Sequence, residues 1–183
     1  MNFKQRIAAH KLGVLLTRDL IQTAATGTEE GYKSGILHQM ASEGRNMHPL
    51  QLSELYTAAL SELGITEPIV KAALLRLLRY YIHKMVYQQM DVAKGFALVD
   101  SMMNLTEYFY PDTGLEGAYE QYTAIAAYSS PWFEPDDAGG LSQQDAIDHA
   151  KQALYDALQH WLNTTAVLFS SEESLSVAHA VAV

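Results

Sequence analysis

The chain has 183 residues, 49% hydrophobic and 18% charged, with 21 Asp and Glu against 12 Lys and Arg and no cysteine. That length and apolar share suffice for one folded core, and the missing thiols exclude a disulfide framework, a thiolate metal site and a cysteine nucleophile, as suits a reducing cytoplasm. No apolar run approaches the roughly 20 residues of a membrane span, and Lys4, Arg6 and Lys11 interrupt the N-terminal turns, so a cytoplasmic protein without a signal peptide or a membrane partner is expected.

From Phe3 to Ala24, apolar residues including Phe3, Ile7, Val14 and Ile21 recur at helical spacing and predict a first helix, with Gly13 inside it. Thr26-Gly-Thr-Glu29 matches a capping box and predicts a second helix over 28–42. The same stretch superficially matches a phosphate-binding loop, but the Gly-to-Lys spacing is wrong and Glu29 and Glu30 would repel phosphate.

Leu52, Leu55, Tyr56, Ala59, Leu60 and Leu63 give the clearest amphipathic helix, stopped at Gly64. Pro68 to Met90 is apolar nearly all round and free of carboxylates, as a helix covered by neighbours would be. Thr66 is expected to cap it, with Pro68 in its first turn. The pattern continues through Phe96, Val99 and Met103, either without a break or restarting at Asp91, and closes at Pro111 and Gly114. A helix over 115–128 follows, with Tyr119, Tyr122, Ile125 and Ala126 inward, then a loop from Ser129 to Gly140 and a last helix over 142–169.

These elements predict an all-α fold: a single-domain bundle of five to six helices over residues 1–169, largely antiparallel, around the central apolar helix. Residues 170–183 are expected to form a frayed or weakly docked tail.

On the last helix, Ile147, Ala150, Leu154, Leu158, Trp161, Thr165 and Leu168 share one face, while Asp145, His149, Asp156 and His160 share the opposite one. The second set has metal-ligating residue types on a face that should meet water. There is no Glu-x-x-His, His-Glu-x-x-His or Gly-x-Ser-x-Gly motif. No catalytic, cofactor-binding or metal residue is therefore assigned, and an enzyme is not the expected class.

Charge is segregated: residues 1–94 hold 11 Lys and Arg against 8 Asp and Glu, and residues 95–183 hold 1 against 13. Arg76, Arg79 and His83 form a narrow basic strip on the central helix, facing either the acidic second half or an anionic partner. Leu63, Gly64, Ile65, Thr66, Val70, Lys71, Ala73, Leu74, Arg76 and Leu77 together resemble the turn and recognition helix of winged helix-turn-helix transcription regulators. The resemblance implies a DNA-binding regulator using residues 52–79, with nucleic-acid contacts at Lys71, Arg76, Arg79 and His83. Glu67 would put an acid where bases are read, and the chain after Tyr80 reads as further helix instead of a wing.

Trp132 and Phe133, between Pro131 and Pro135, are the candidate contact with a partner. Folding back onto the core is the competing fate of such aromatics. Residues 80–133 hold 12 of the 18 aromatic side chains, enough to line a ligand pocket near Tyr80, Tyr119 or Tyr122. The leading expectation is a non-enzymatic regulatory or adaptor protein acting through protein contacts, including self-association. A DNA-binding regulator and a small-molecule-binding bundle are the alternatives.

Overall fold

A computed structural model describes the backbone of residues 1–180 and the side chains of residues 1–166. Among the described residues all regular structure is helical. There are nine α-helices, α1 (Phe3–Lys11), α2 (Leu20–Glu29), α3 (Gly35–Glu43), α4 (Pro49–Glu62), α5 (Val70–Val86), α6 (Val92–Met103), α7 (Tyr110–Thr113), α8 (Glu116–Tyr128) and α9 (Gln143–Ala180). Short 3-10 turns lie at Thr17–Asp19, Gly44–Asn46 and Pro135–Ala138. The expected tail over 170–183 falls on residues whose side chains, and at the very end backbone, lie outside the described set.

The chain forms two compact units, one of Met1–Tyr80 with Asp100–Tyr108, the other of Tyr81–Val99 with Phe109–Val183. Helices α5 and α6 contribute residues to both.

In the first unit the expected long N-terminal helix is two helices. Gly13 takes φ +72, and the amides of Gly13 and Val14 close back onto the carbonyls of His10 and Ala9 at 3.0 and 2.9 Å. This is the glycine-terminated helix end that a left-handed residue permits, so the glycine ends α1 instead of interrupting it. Asn2 and Gln5 cap α1 reciprocally at 2.8 Å, and the Glu30 carboxylate accepts from the Phe3 amide at 3.0 Å.

Thr26 does not cap the second helix as expected. Thr26 and Thr28 lie inside α2 and donate to the carbonyls of Gln22 and Ala24, the back-bonding that Ser and Thr adopt within helices. The next helix instead starts at Gly35, capped by Ser34, whose hydroxyl accepts from the Leu37 amide at 3.1 Å. The break at Gly13, the separation of α5 from α6 and the short α7 give nine helices among the described residues where five or six are expected.

Phe3, Ile7, Leu20, Ala24, Leu37, Met40, Leu52, Tyr56, Ala59 and Leu60 make one apolar cluster, with Leu55, Leu63 and Ile65 partly buried against it. At about 1.5–3 kcal/mol for each fully buried large aliphatic or aromatic side chain, this burial is the main stabiliser of the unit. Gly27 lets the helices close up, since a methyl there would sit 3.0 Å from Phe3 and 3.1 Å from Leu37. Helix α4 ends at Gly64 (φ +64) as its sequence indicates. The following helix starts later than expected: residues 65–69 are irregular, and the first bond into α5 runs from the Ala73 amide to the Ile69 carbonyl at 3.0 Å. Pro68 therefore precedes the helix.

In the second unit α6 restarts at Asp91, whose carboxylate accepts from the Lys94 amide at 2.9 Å. Gly95, inside α6, lies against the side chains of Met85 and Met90, which leave no room for a methyl. Ala118 and Ile125 are the buried positions of α8, with Leu115 buried just before its start and Tyr119 and Ala126 on the exposed side, so its inner face is rotated from the expected one. Helix α8 packs along α9, where Ala146, Ala150, Leu154, Leu158, Trp161 and Leu162 are buried. The Trp161 indole donates to the Thr113 carbonyl at 2.7 Å, which gives a buried polar group its partner.

Candidate functional site

The loop between α8 and α9 is built from its first residues outward. The Ser129 hydroxyl returns to the Ile125 carbonyl at 2.7 Å and the Ser130 amide to the Ala127 carbonyl at 3.1 Å. Pro131 then removes one donor and turns the chain away from the helix axis. Across the turn the Phe133 amide donates to the Ser130 carbonyl at 3.2 Å, and the Trp132 amide to the Ser130 hydroxyl at 3.2 Å. From α9, the Gln143 side-chain amide donates to the carbonyls of Tyr128 and Ser130 at 2.8 and 3.0 Å.

This framework separates the two aromatics. Phe133 folds back, its ring edge-on to Tyr128 at 5.7 Å, while Trp132 points outward with 86% of its surface exposed. The fold-back that sequence reasoning anticipated thus holds for Phe133 and not for Trp132. Around them Glu134, Asp136 and Asp137 are exposed, and the loop contains no cation. The second side of the loop is fixed by the 3-10 turn, closed by the Gly140 amide on the Pro135 carbonyl at 2.8 Å. The arrangement offers a large flat indole on a backbone tied at both ends, rimmed by carboxylates.

The basic residues of α5 do not form one open surface. Lys71 and His83 are exposed, whereas Arg76 and Arg79 are half-buried and neither is without a partner. The Lys71 ammonium stands 5.8 Å from the centre of the Tyr108 ring, and the His83 ring lies 4.2 Å from that of Tyr87. Arg76 is near enough to Tyr32 to favour phenolate, against burial and Glu30, which together hold that phenol above its ordinary range. Helices α4 and α5, the pair that carries the resemblance to helix-turn-helix proteins, are separated by residues 63–69; the turn of that motif takes three or four residues.

The aromatic group of the second unit is closed on itself. Tyr110 and Tyr119 stack at 4.0 Å, and Phe96 lies 5.1 Å from Tyr122 and 6.1 Å from Tyr110. Tyr80, in the first unit, accepts a 3.4 Å hydrogen bond from the N-terminal ammonium. Asp145, His149, Asp156 and His160 are all exposed on α9, the face their helical phase assigned them.

Sequence reasoning did not find a polar group in the first unit. The Tyr56 hydroxyl is buried without a hydrogen-bond partner among the described residues, and burial, reinforced by Glu67, raises its pKa well above the usual phenol range. The His10 ring packs on Tyr56 at 5.0 Å. Burial holds His10 below its ordinary imidazole value, opposed by Glu67 and Asp19, and Lys11 pairs with Glu67 at 3.2 Å. These residues lie far apart in the chain, so no spacing announces them. No family model matches the chain, and neither does any curated protein or solved structure.

Proposed function

We propose that this chain is a non-enzymatic adaptor or regulatory protein that works by protein contact, with Trp132 as the anchor of its binding surface. The observation that carries the reading is the exposure of Trp132 on a loop whose backbone is tied to α8 and α9. An indole buries a large apolar area at little conformational cost, and holding the loop in place before contact lowers the ordering penalty further. Interface energy concentrates in such residues.

The acidic rim of Glu134, Asp136 and Asp137 sets the partner's chemistry: an apolar pocket bordered by Lys or Arg, found on another protein or on a second copy of this chain. Short connections between successive helices support a largely antiparallel arrangement of neighbours, and residues 1–169 are taken as one functional domain of a cytoplasmic protein. No described helix is long and apolar enough to cross a membrane, which agrees with a partner that is not a bilayer.

The test is sedimentation velocity of the pure protein over a range of concentrations, with co-purification from cells, for wild type and the Trp132→Ala variant. A complex, with a second copy or another protein, that weakens at least tenfold in the variant supports the reading. A wild-type chain that stays monomeric and alone, or a complex indifferent to Trp132, overturns it.

A further inference from the structure

Among the described residues, six helical segments end with the same pair of backbone bonds, an amide reaching five residues back and the preceding amide three residues back. The residue that turns left-handed is Gly13, Gly31, Gly64, Gly114 and Gly139 in five of them; at the end of α5 it is Gln88, with φ 55. There Gln89 closes on Lys84 at 2.8 Å and Gln88 on Met85 at 3.1 Å. A residue with a side chain is less stable in this conformation than glycine. Local rules broken in this way concentrate at functional sites, where the side chain is used for something else.

Gln88 lines an open groove of about 510 Å³ within the second unit, between the α5–α6 turn and α9. That volume is in the range of small-ligand sites. Opposite it lies Lys151, the single Lys or Arg of residues 95–183, half-buried and without an ion pair among the described residues. Asp91 and Asp148 bring the opposite charge to the same groove, and Met85, Met90 and Val92 supply an apolar wall. Tyr155 fixes the two sides of the groove, its hydroxyl donating to the Val86 carbonyl at 3.0 Å.

We propose that this groove binds a small zwitterion of the α-amino-acid type with an apolar side chain. Its carboxylate meets Lys151 and the amide of Gln88, its ammonium meets Asp148 or Asp91, and its side chain lies on Met85, Met90 and Val92. A purely anionic ligand would face Asp91 and Asp148, and a purely cationic one Lys151, each a like charge. The site is separate from the Trp132 loop and does not depend on the role assigned to it.

The experiment is calorimetric titration of the full chain with L-leucine and L-methionine, and with N-acetyl-leucine and leucinamide, which each lack one charge. One-to-one binding of a free amino acid, at least tenfold tighter than either blocked form, is expected, with at least a tenfold loss in Lys151→Ala. Gln88→Gly is the second variant: it should raise the melting temperature while weakening binding at least fivefold. No binding of either amino acid at millimolar concentration, equal binding of a blocked form, or a Gln88→Gly chain that binds as well as wild type would each overturn the proposal. A lower melting temperature in Gln88→Gly would overturn its premise.

Discussion

Gln143 and Tyr128 are joined by a 2.8 Å hydrogen bond from side-chain amide to backbone carbonyl. The bond ties the first turn of α9 to the last turn of α8 and closes the loop that presents Trp132. Replacing Gln143 with Ala leaves the carbonyls of Tyr128 and Ser130 to water, at a cost of about 1 kcal/mol or less because both are near the surface. The expected outcome is faster amide exchange confined to residues 129–142, with the unfolding midpoint little changed and partner affinity reduced. Equal exchange in the two proteins would show that the bond does not hold the loop.

The two tryptophans are in opposite environments: Trp132 is largely exposed and Trp161 is buried. Trp132→Phe should remove the red-shifted, iodide-quenchable part of the emission and leave a blue-shifted, protected remainder. Stability should change by no more than about 0.5 kcal/mol, as for a surface substitution. Trp161→Phe should do the reverse and cost about 1–3 kcal/mol, because the Thr113 carbonyl loses its buried donor.

Acid should weaken the first unit through His10. Burial sets its folded pKa below the ordinary imidazole value of about 6.5, so the unfolded chain binds the proton more readily and stability falls as pH drops from there toward the folded value. Above that window His10 adds no pH dependence. The groups facing it are Tyr56, Glu67 and Asp19, with Lys11 paired to Glu67. Urea unfolding at about pH 7.5 and about pH 5.5 should show a smaller loss for His10→Gln than for wild type.

Two helical glycines should respond oppositely to alanine. At Gly95 a methyl meets the Met85 and Met90 side chains, and overpacking of this kind costs about 1–3 kcal/mol. At Gly117, in the first turns of α8, nothing lies within 4 Å, so alanine should stabilise by up to about 1 kcal/mol through helix propensity. Chemical denaturation of both variants checks the pair.

The elements legible in the sequence were those that local physics dictates. The α4 stripe with its stop at Gly64 and the polar and apolar faces of α9 each depend on residues within a few turns of one another, whereas at Asp91 the sequence leaves a continuous helix and a restart equally open. At the N-terminus the apolar periodicity runs on through Gly13, while the left-handed turn there is a backbone choice that composition leaves open. Thr26 matched a cap in spelling, yet a threonine hydroxyl bonds equally well to a carbonyl four residues back. The loop carrying Trp132 was visible in its prolines, but the outward turn of the indole depends on Ser130 and Gln143. The groove at Gln88 and the pairing of His10 with Tyr56 join residues tens of positions apart, where no pattern in one sequence speaks.

The most direct measurement of the central claim is photo-crosslinking in intact cells with a benzoyl-phenylalanine placed at position 132, and at the exposed Leu50 as control. A discrete adduct from position 132, whether with another protein or a second copy of the chain, absent from position 50 and diminished by Gln143→Ala, is the result this account predicts. No adduct from position 132 in cells or in the purified protein, or the same adducts from both positions, would contradict it.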